Sequence, residues 1–197
     1  MLRNVIFDFG NVLYGYDPDT LLGFCFHTEE DLSTARRVIY RQWQALDEGS
    51  VDYDAYVEES LSMLPERLHE PARKFFYNWF RFESPIEGAW ALVALLKARG
   101  YGVYLLSNAP TVFADALDSF PILKLFDGLV VSAPIRRVKP NADIFEYTLE
   151  RFGLSASESL FVDDMAINVE GARRCGLYGY VFNGDAKPLL EYIESLS

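Results

Sequence analysis

Polar residues stand where short apolar runs end. Asp8 follows Val5-Ile6-Phe7, Ser107 and Asn108 follow Val103 to Leu106, and Asp163-Asp164 follow Leu160-Phe161-Val162. Lys139-Pro140 comes shortly after a further run, Leu129-Val130-Val131. Carboxylates gathered at one place repel each other and call for a hard cation, and Mg²⁺ takes oxygen ligands of this kind. A phosphate clamped on that ion needs donors, which Ser107, Lys139 and backbone N–H groups near Asn108 supply. A carboxylate left facing phosphorus is a nucleophile, giving an aspartyl-phosphate that water then hydrolyses. The metal and Lys139 offset charge in the transition state.

These residues work together only if the runs are neighbouring strands. Each run has the length of a parallel strand covered on both faces, and Tyr178 to Phe182 is another. Helical patterns fill the gaps. Ala89, Leu92, Val93 and Leu96 mark a helix closed by Gly100, and Ile144, Phe145, Thr148, Leu149 and Phe152 mark one opened near Pro140 and closed by Gly153. Two more are expected, from Ala166 to Cys175 and after Pro188. This alternation predicts an α/β fold with a doubly wound, Rossmann-like parallel sheet, whose ligands bind beyond the carboxyl ends of the strands. The stretch 16–83 differs: it has helical periodicity and no strand pattern. The expected organisation is a core of residues 1–15 and 84–197 interrupted by an all-helical subdomain, 16–83.

Composition narrows the partners. The chain has 197 residues, half of them hydrophobic, which suits one domain with an insertion. A net charge of -11 argues against nucleic acid, whose phosphates attract Lys and Arg clusters. It leaves room for a small anion, because a metal and a few local cations reverse the field inside a cleft. No apolar stretch approaches a membrane span and no secretory signal opens the chain, so a cytoplasmic protein is expected. Cys25 and Cys175 read as free thiols.

The segments Asp8-Phe-Gly-Asn-Val-Leu13, Leu106-Ser107-Asn108, Val138-Lys139-Pro140 and Phe161-Val-Asp163-Asp164 resemble, in order, the four motifs of the haloacid dehalogenase superfamily. The resemblance spans the chain, including a helical cap inserted after the first motif. It implies Asp8 as nucleophile and metal ligand, Gly10 as a metal ligand through its carbonyl, and Ser107 with the Asn108 backbone as phosphoryl holders. Lys139 would bridge nucleophile and phosphate. Asp164 would bind Mg²⁺ directly, Asp163 directly or through water, and Asn168 would support the site. The Asp-x-Gly-Asn-Val pattern is similar to a bacterial subgroup that includes an α-D-glucose-1-phosphate phosphatase, which makes sugar phosphates the first substrates to consider. In one respect the chain departs from the pattern. Phosphatases of this superfamily carry a second Asp, a general acid/base, where Gly10 stands.

Two alternatives compete with a phosphatase. Hydrolysis of a 2-haloacid uses the same nucleophile without metal, and its halide leaves unprotonated, as Gly10 would allow; the Asp163-Asp164 pair argues against it. A binding protein that has lost catalysis would also tolerate Gly10, but not a complete nucleophile, lysine and carboxylate set. Among the remaining residues, His27 and His69 read as surface or satisfied polar groups. Tyr40, Trp43, Phe75, Phe76, Trp79 and Phe80 read as core of the helical subdomain, and Asp17 as a possible contributor to the pocket. Monomer and homodimer are both compatible with the pattern.

Overall fold

The computed structural model of the chain describes residues 1–82 and 84–196; Glu83, the expected end of the helical segment, lies outside them. Strands β1 (Asn4–Phe7), β2 (Gly102–Ser107), β3 (Gly128–Val131), β4 (Ser159–Asp163) and β5 (Tyr178–Val181) form one parallel sheet in the order β3-β2-β1-β4-β5. Central β1 pairs with β2 through Phe7↔Leu105 and with β4 through Phe7↔Val162. Asp8, Ser107 and Asp163-Asp164 therefore leave the sheet side by side, at its carboxyl end.

Between β1 and β2 the chain inserts helices α1 (Pro18–Gly23), α2 (Glu29–Ile39), α3 (Trp43–Asp47), α4 (Tyr53–Met63) and α5 (His69–Asn78). A short antiparallel ribbon, Tyr14-Gly15 against Ser84-Pro85, ties the two ends of the insert together. The remaining helices are α6 (Glu87–Ala98), α7 (Thr111–Asp115), α8 (Ser132–Ile135), α9 (Ala142–Phe152), α10 (Ala166–Arg174) and α11 (Ala186–Ser195).

Period-two alternation divides the strands between two layers. Val5, Phe7, Val103, Leu105, Leu160 and Val162 pack with Leu92, Val93 and Leu96 of α6 and Leu189 and Ile193 of α11. Ile6, Leu106, Val130 and Phe161 pack with Ile144 and Phe145 of α9 and Ala172 of α10. The sheet is doubly wound, as the alternating runs predict. The first apolar layer continues without a break into the insert through Phe9, Phe113, Trp79 and Phe80.

Periodicity from Ala35 through Ile39 and Trp43 to Leu46 reads as unbroken, but α2 stops at Ile39 and α3 starts at Trp43. The cause is a side chain. The buried Tyr56 hydroxyl donates to the Ile39 carbonyl at 2.9 Å and accepts from the Gln42 N–H at 3.1 Å, taking over groups a continuing helix would use. This break re-aims α3, and Asp47 at its end reaches the cleft described next.

Candidate active site

A cleft of about 280 Å³ opens over the carboxyl end of the sheet, between the strands and the insert. Its floor holds Asp8, Gly10, Ser107, Asn108, Lys139 and Asp164; Tyr16, Trp43, Asp47 and Trp79 line the side toward the insert.

Lys139 is the hub of the floor. Its Nζ lies 2.7 Å from Asp8 Oδ1 and 2.7 Å from Asp163 Oδ2, and the residue is buried. Burial alone would push the ammonium down, but the facing carboxylates of Asp8 and Asp163 outweigh it and hold Lys139 above the usual lysine range. Asp8, also buried, is pushed up to about 7 by burial, with Lys139 opposing and Asp163 adding to the rise. The Lys139 main chain is held as firmly. Asn108 Oδ1 accepts from its N–H at 2.9 Å, and Asn108 Nδ2 donates to its carbonyl at 3.0 Å. This reciprocal pair uses the Asn108 side chain for positioning, and Asn108 itself lines the cleft. From below, α10 packs against Pro140 at Gly171, where an added Cβ would stand 2.5 Å from the Pro140 carbonyl oxygen.

Asp163 is fully buried and does not line the cleft. Besides Lys139, its oxygens accept from Asn168 Nδ2 at 3.0 and 3.1 Å and from the Met165 N–H at 2.8 Å. Asn168 thus reaches Asp163, as a supporting residue. Asp164 faces the cleft; burial raises its carboxyl, and a 3.1 Å hydrogen bond from Asn11 Nδ2 opposes that rise. Asp8, Asp163 and Asp164 each place a carboxylate oxygen within 4.8 Å of the others. The donor set fits a hard divalent cation: the oxygens are close, and the two carboxylates that face the cleft are both unfavourably charged without one.

Several lining residues escape a reading of the sequence. Asn11 is in the left-handed region at φ 54°, accepts from the Tyr16 N–H at 2.9 Å, and braces Asp164. Its position after Gly10, in a residue type that tolerates this conformation, was the available signal. Trp43 and Trp79, read as core, do pack in it or on it, 5.6 Å apart between ring centroids, and both also line the cleft. Tyr40, Phe75, Phe76 and Phe80 do belong to the core cluster or pack on it. Asp17 is not among the lining residues; it caps α1, accepting from the Thr20 N–H at 2.8 Å. His27 is exposed, and His69 Nε2 meets the Leu64 carbonyl at 3.0 Å.

Comparison with known proteins shows the family and the fold. The family description of haloacid dehalogenase-like hydrolases matches residues 2–176. A sesquiterpene phosphatase from Aspergillus oryzae is 29% identical over 180 residues, covering 90% of this chain and 88% of its own. A D-ribitol-5-phosphate phosphatase from Bacteroides thetaiotaomicron is 27% identical over 186 residues, covering 89% of each. Among solved structures, a family enzyme from Bacteroides thetaiotaomicron, an Asp-to-Ala mutant in complex with magnesium and inorganic phosphate, superposes with a TM-score of 0.74 at 19% identity, over 96% of this chain and 99% of that one. The L-2-haloacid dehalogenase of Xanthobacter autotrophicus superposes with a TM-score of 0.63 at 18% identity, over 91% of this chain and 76% of that one. At such identities the likeness concerns the fold.

Proposed function

The chain belongs to the haloacid dehalogenase-like hydrolases and is a phosphatase, and on that premise we propose that it hydrolyses a small-molecule phosphomonoester through an aspartyl-phosphate on Asp8, with Mg²⁺ as cofactor. The observation that carries this reading is the floor of the cleft. A buried ammonium lies 2.7 Å from a strand-end carboxylate, with a second carboxylate, Asp164, across from it.

Asp8 and Asp164 through carboxylate oxygens, and Gly10 through its carbonyl, would hold the ion, which supplies neutralising charge at the phosphoryl oxygens when bound. Lys139 neutralises Asp8 in the resting site and the phosphoryl group once Asp8 attacks. Ser107 and the Asn108 N–H hold phosphoryl oxygens in line with that attack. Asp163 acts through Lys139, fixing the ammonium between the two carboxylates, and Asn168 fixes Asp163. In this reading residues 1–15 and 84–197 are the catalytic core and 16–83 a cap that limits water access.

The aromatic wall of Tyr16, Trp43 and Trp79 suits the C–H faces of a sugar or polyol, so sugar phosphates are the substrate class to test first. The D-ribitol-5-phosphate phosphatase among its relatives points the same way. Hydrolysis of a carbon–halogen bond would leave Asp164, in the cleft and raised by burial, without a task. The test is phosphate release from a panel of phosphomonoesters, p-nitrophenyl phosphate and sugar 1-phosphates included, with Mg²⁺ and with EDTA. Mg²⁺-dependent release that Asp8→Asn abolishes supports the reading; halide release from 2-haloacids with no phosphate release would replace it.

A further inference from the structure

An alkoxide is a poor leaving group, so hydrolysis of an alkyl phosphate gains from an acid placed at the departing oxygen. In-line displacement puts that oxygen opposite Asp8, away from the strand ends and toward the insert. Gly10 offers no side chain there. Among the described residues lining that side of the cleft, Asp47 carries the carboxyl group. Its Oδ1 is shut off from solvent and has no hydrogen-bond partner among the described residues. A buried carboxyl oxygen without a donor is costly, and Asp47 lines the cleft on the side where a leaving oxygen would sit.

The fold fixes Asp47 from the core. The Ser132 hydroxyl, at the start of α8, donates to the Asp47 carbonyl at 2.5 Å and accepts from the Ala109 N–H at 2.9 Å, next to Asn108. Two residues on, Gly49 has φ +63° and lies so close to α8 that a Cβ would stand 2.2 Å from the Ala133 carbonyl oxygen. Glycine is required there on both counts. The same α8 contact thus seats the end of α3 against the segment that carries the phosphoryl holders.

We propose that Asp47 is the general acid that protonates the leaving alcohol, standing in for the carboxylate absent at Gly10. The inference rests on the phosphatase reading above. As Asp8 Oδ bonds to phosphorus, the ester P–O bond breaks and the Asp47 proton passes to the departing oxygen. In the second step the Asp47 carboxylate takes a proton from the water that attacks phosphorus, the bond from Asp8 to phosphorus breaks, and both residues return to their starting states. The charged groups acting on Asp47 are Lys139, Asp8 and Glu48; burial is the largest influence and raises its carboxyl well above the ordinary range, Lys139 opposes, and the two anions add to the rise.

The experiment compares kcat and KM for an alkyl and an aryl phosphate in Asp47→Asn, which keeps shape and removes the proton. The expected result is a fall in kcat of about 10²–10³-fold for the alkyl ester, within the usual worth of acid catalysis. For p-nitrophenyl phosphate, which leaves without a proton, the expected fall is much smaller. Equal losses on both esters, or a rise in KM alone, would overturn the proposal. If Asp47→Asn does not fold, the leaving-group dependence of the unaltered chain decides: with an acid in place kcat falls little from aryl to alkyl esters, and a fall of about 10²-fold or more would show that no acid was there. Wild-type chain inert toward both esters with Mg²⁺ would defeat the phosphatase reading itself, a different outcome from either.

Discussion

On the strand side of the cleft, both Asp163 oxygens are engaged, and Lys139 is held at its ammonium by two carboxylates and at its backbone by Asn108. On the insert side, Asp47 Oδ1 has no partner among the described residues, and two tryptophans offer ring surface. The difference teaches how the labour is divided. A phosphoryl group is the same in every substrate, so its holders gain from being locked before it arrives. The leaving group varies, so the wall that meets it is largely aromatic surface, with Asp47 Oδ1 and Trp79 Nε1 left without partners among the described residues.

The largest expected effect is on the floor. Asp8→Asn should lower phosphate release by about 10⁴-fold or more, the scale on which enzymes lose activity with their nucleophile, while the fold survives. A loss confined to KM would break the comparison, because the floor would then be a binding surface like the wall. Lys139→Met should come next, as a loss of stability. It leaves Asp8 and Asp163 facing each other without a cation, and breaking a buried pair in this way costs about 3–5 kcal/mol. Urea unfolding measures it; a cost near that of an exposed pair, below about 1 kcal/mol, would mean the floor is not locked by charge.

The floor should also show in the pH dependence of the metal-free protein. Asp8 has its carboxyl raised from 3.8 to about 7, and Asp164 and Asp47 are raised as well. Between 3.8 and about 7 the folded state holds on Asp8 a proton that the unfolded state has released, so stability falls as pH rises through that window. Lys139 softens the fall and Asp163 sharpens it for Asp8. The surface carboxylates of Asp17, Asp31 and Glu58 are lowered and act in the opposite sense, but only below their ordinary range. Thermal midpoints in EDTA should therefore be higher at pH 5 than at pH 8, with Mg²⁺ closing the gap. A midpoint that rises with pH in EDTA would contradict the assignment. The smallest effect belongs to the wall. Trp43→Ala should raise KM by about three- to tenfold with kcat little changed, the signature of binding shared by ground and transition states. A matching fall in kcat would give the wall a share in the chemistry.

The sequence made the floor legible and left the wall mostly hidden, for a physical reason. Asp8, Ser107 and Asp163 end short apolar runs, and in a parallel sheet such ends converge whatever the loops do. Lys139 is reached by the same logic, one turn beyond its strand. Asp47 is placed by long-range contacts: the Tyr56 hydroxyl that interrupts the helix after Ile39, and the Ser132 hydroxyl that anchors its carbonyl. These bonds span 14, 17 and 85 residues, and periodicity reports only neighbours. Trp43 and Trp79 satisfy a helical pattern as core residues do, and nothing in the pattern tells a ring packed on both faces from one with an edge in a cleft. Asn11 was within reach, as an Asn directly after a Gly in the loop that leaves β1.

The central claim, a phosphoryl group carried on Asp8, is tested most directly by acid-quenching the enzyme during turnover of a phosphomonoester with Mg²⁺ and mapping the modified peptide by mass spectrometry. The account predicts one phosphoryl group on Asp8, absent in EDTA and in Asp8→Asn. Phosphate release that continues in Asp8→Asn, or turnover in which Asp8 is never found phosphorylated while water attacks the substrate directly, would contradict it.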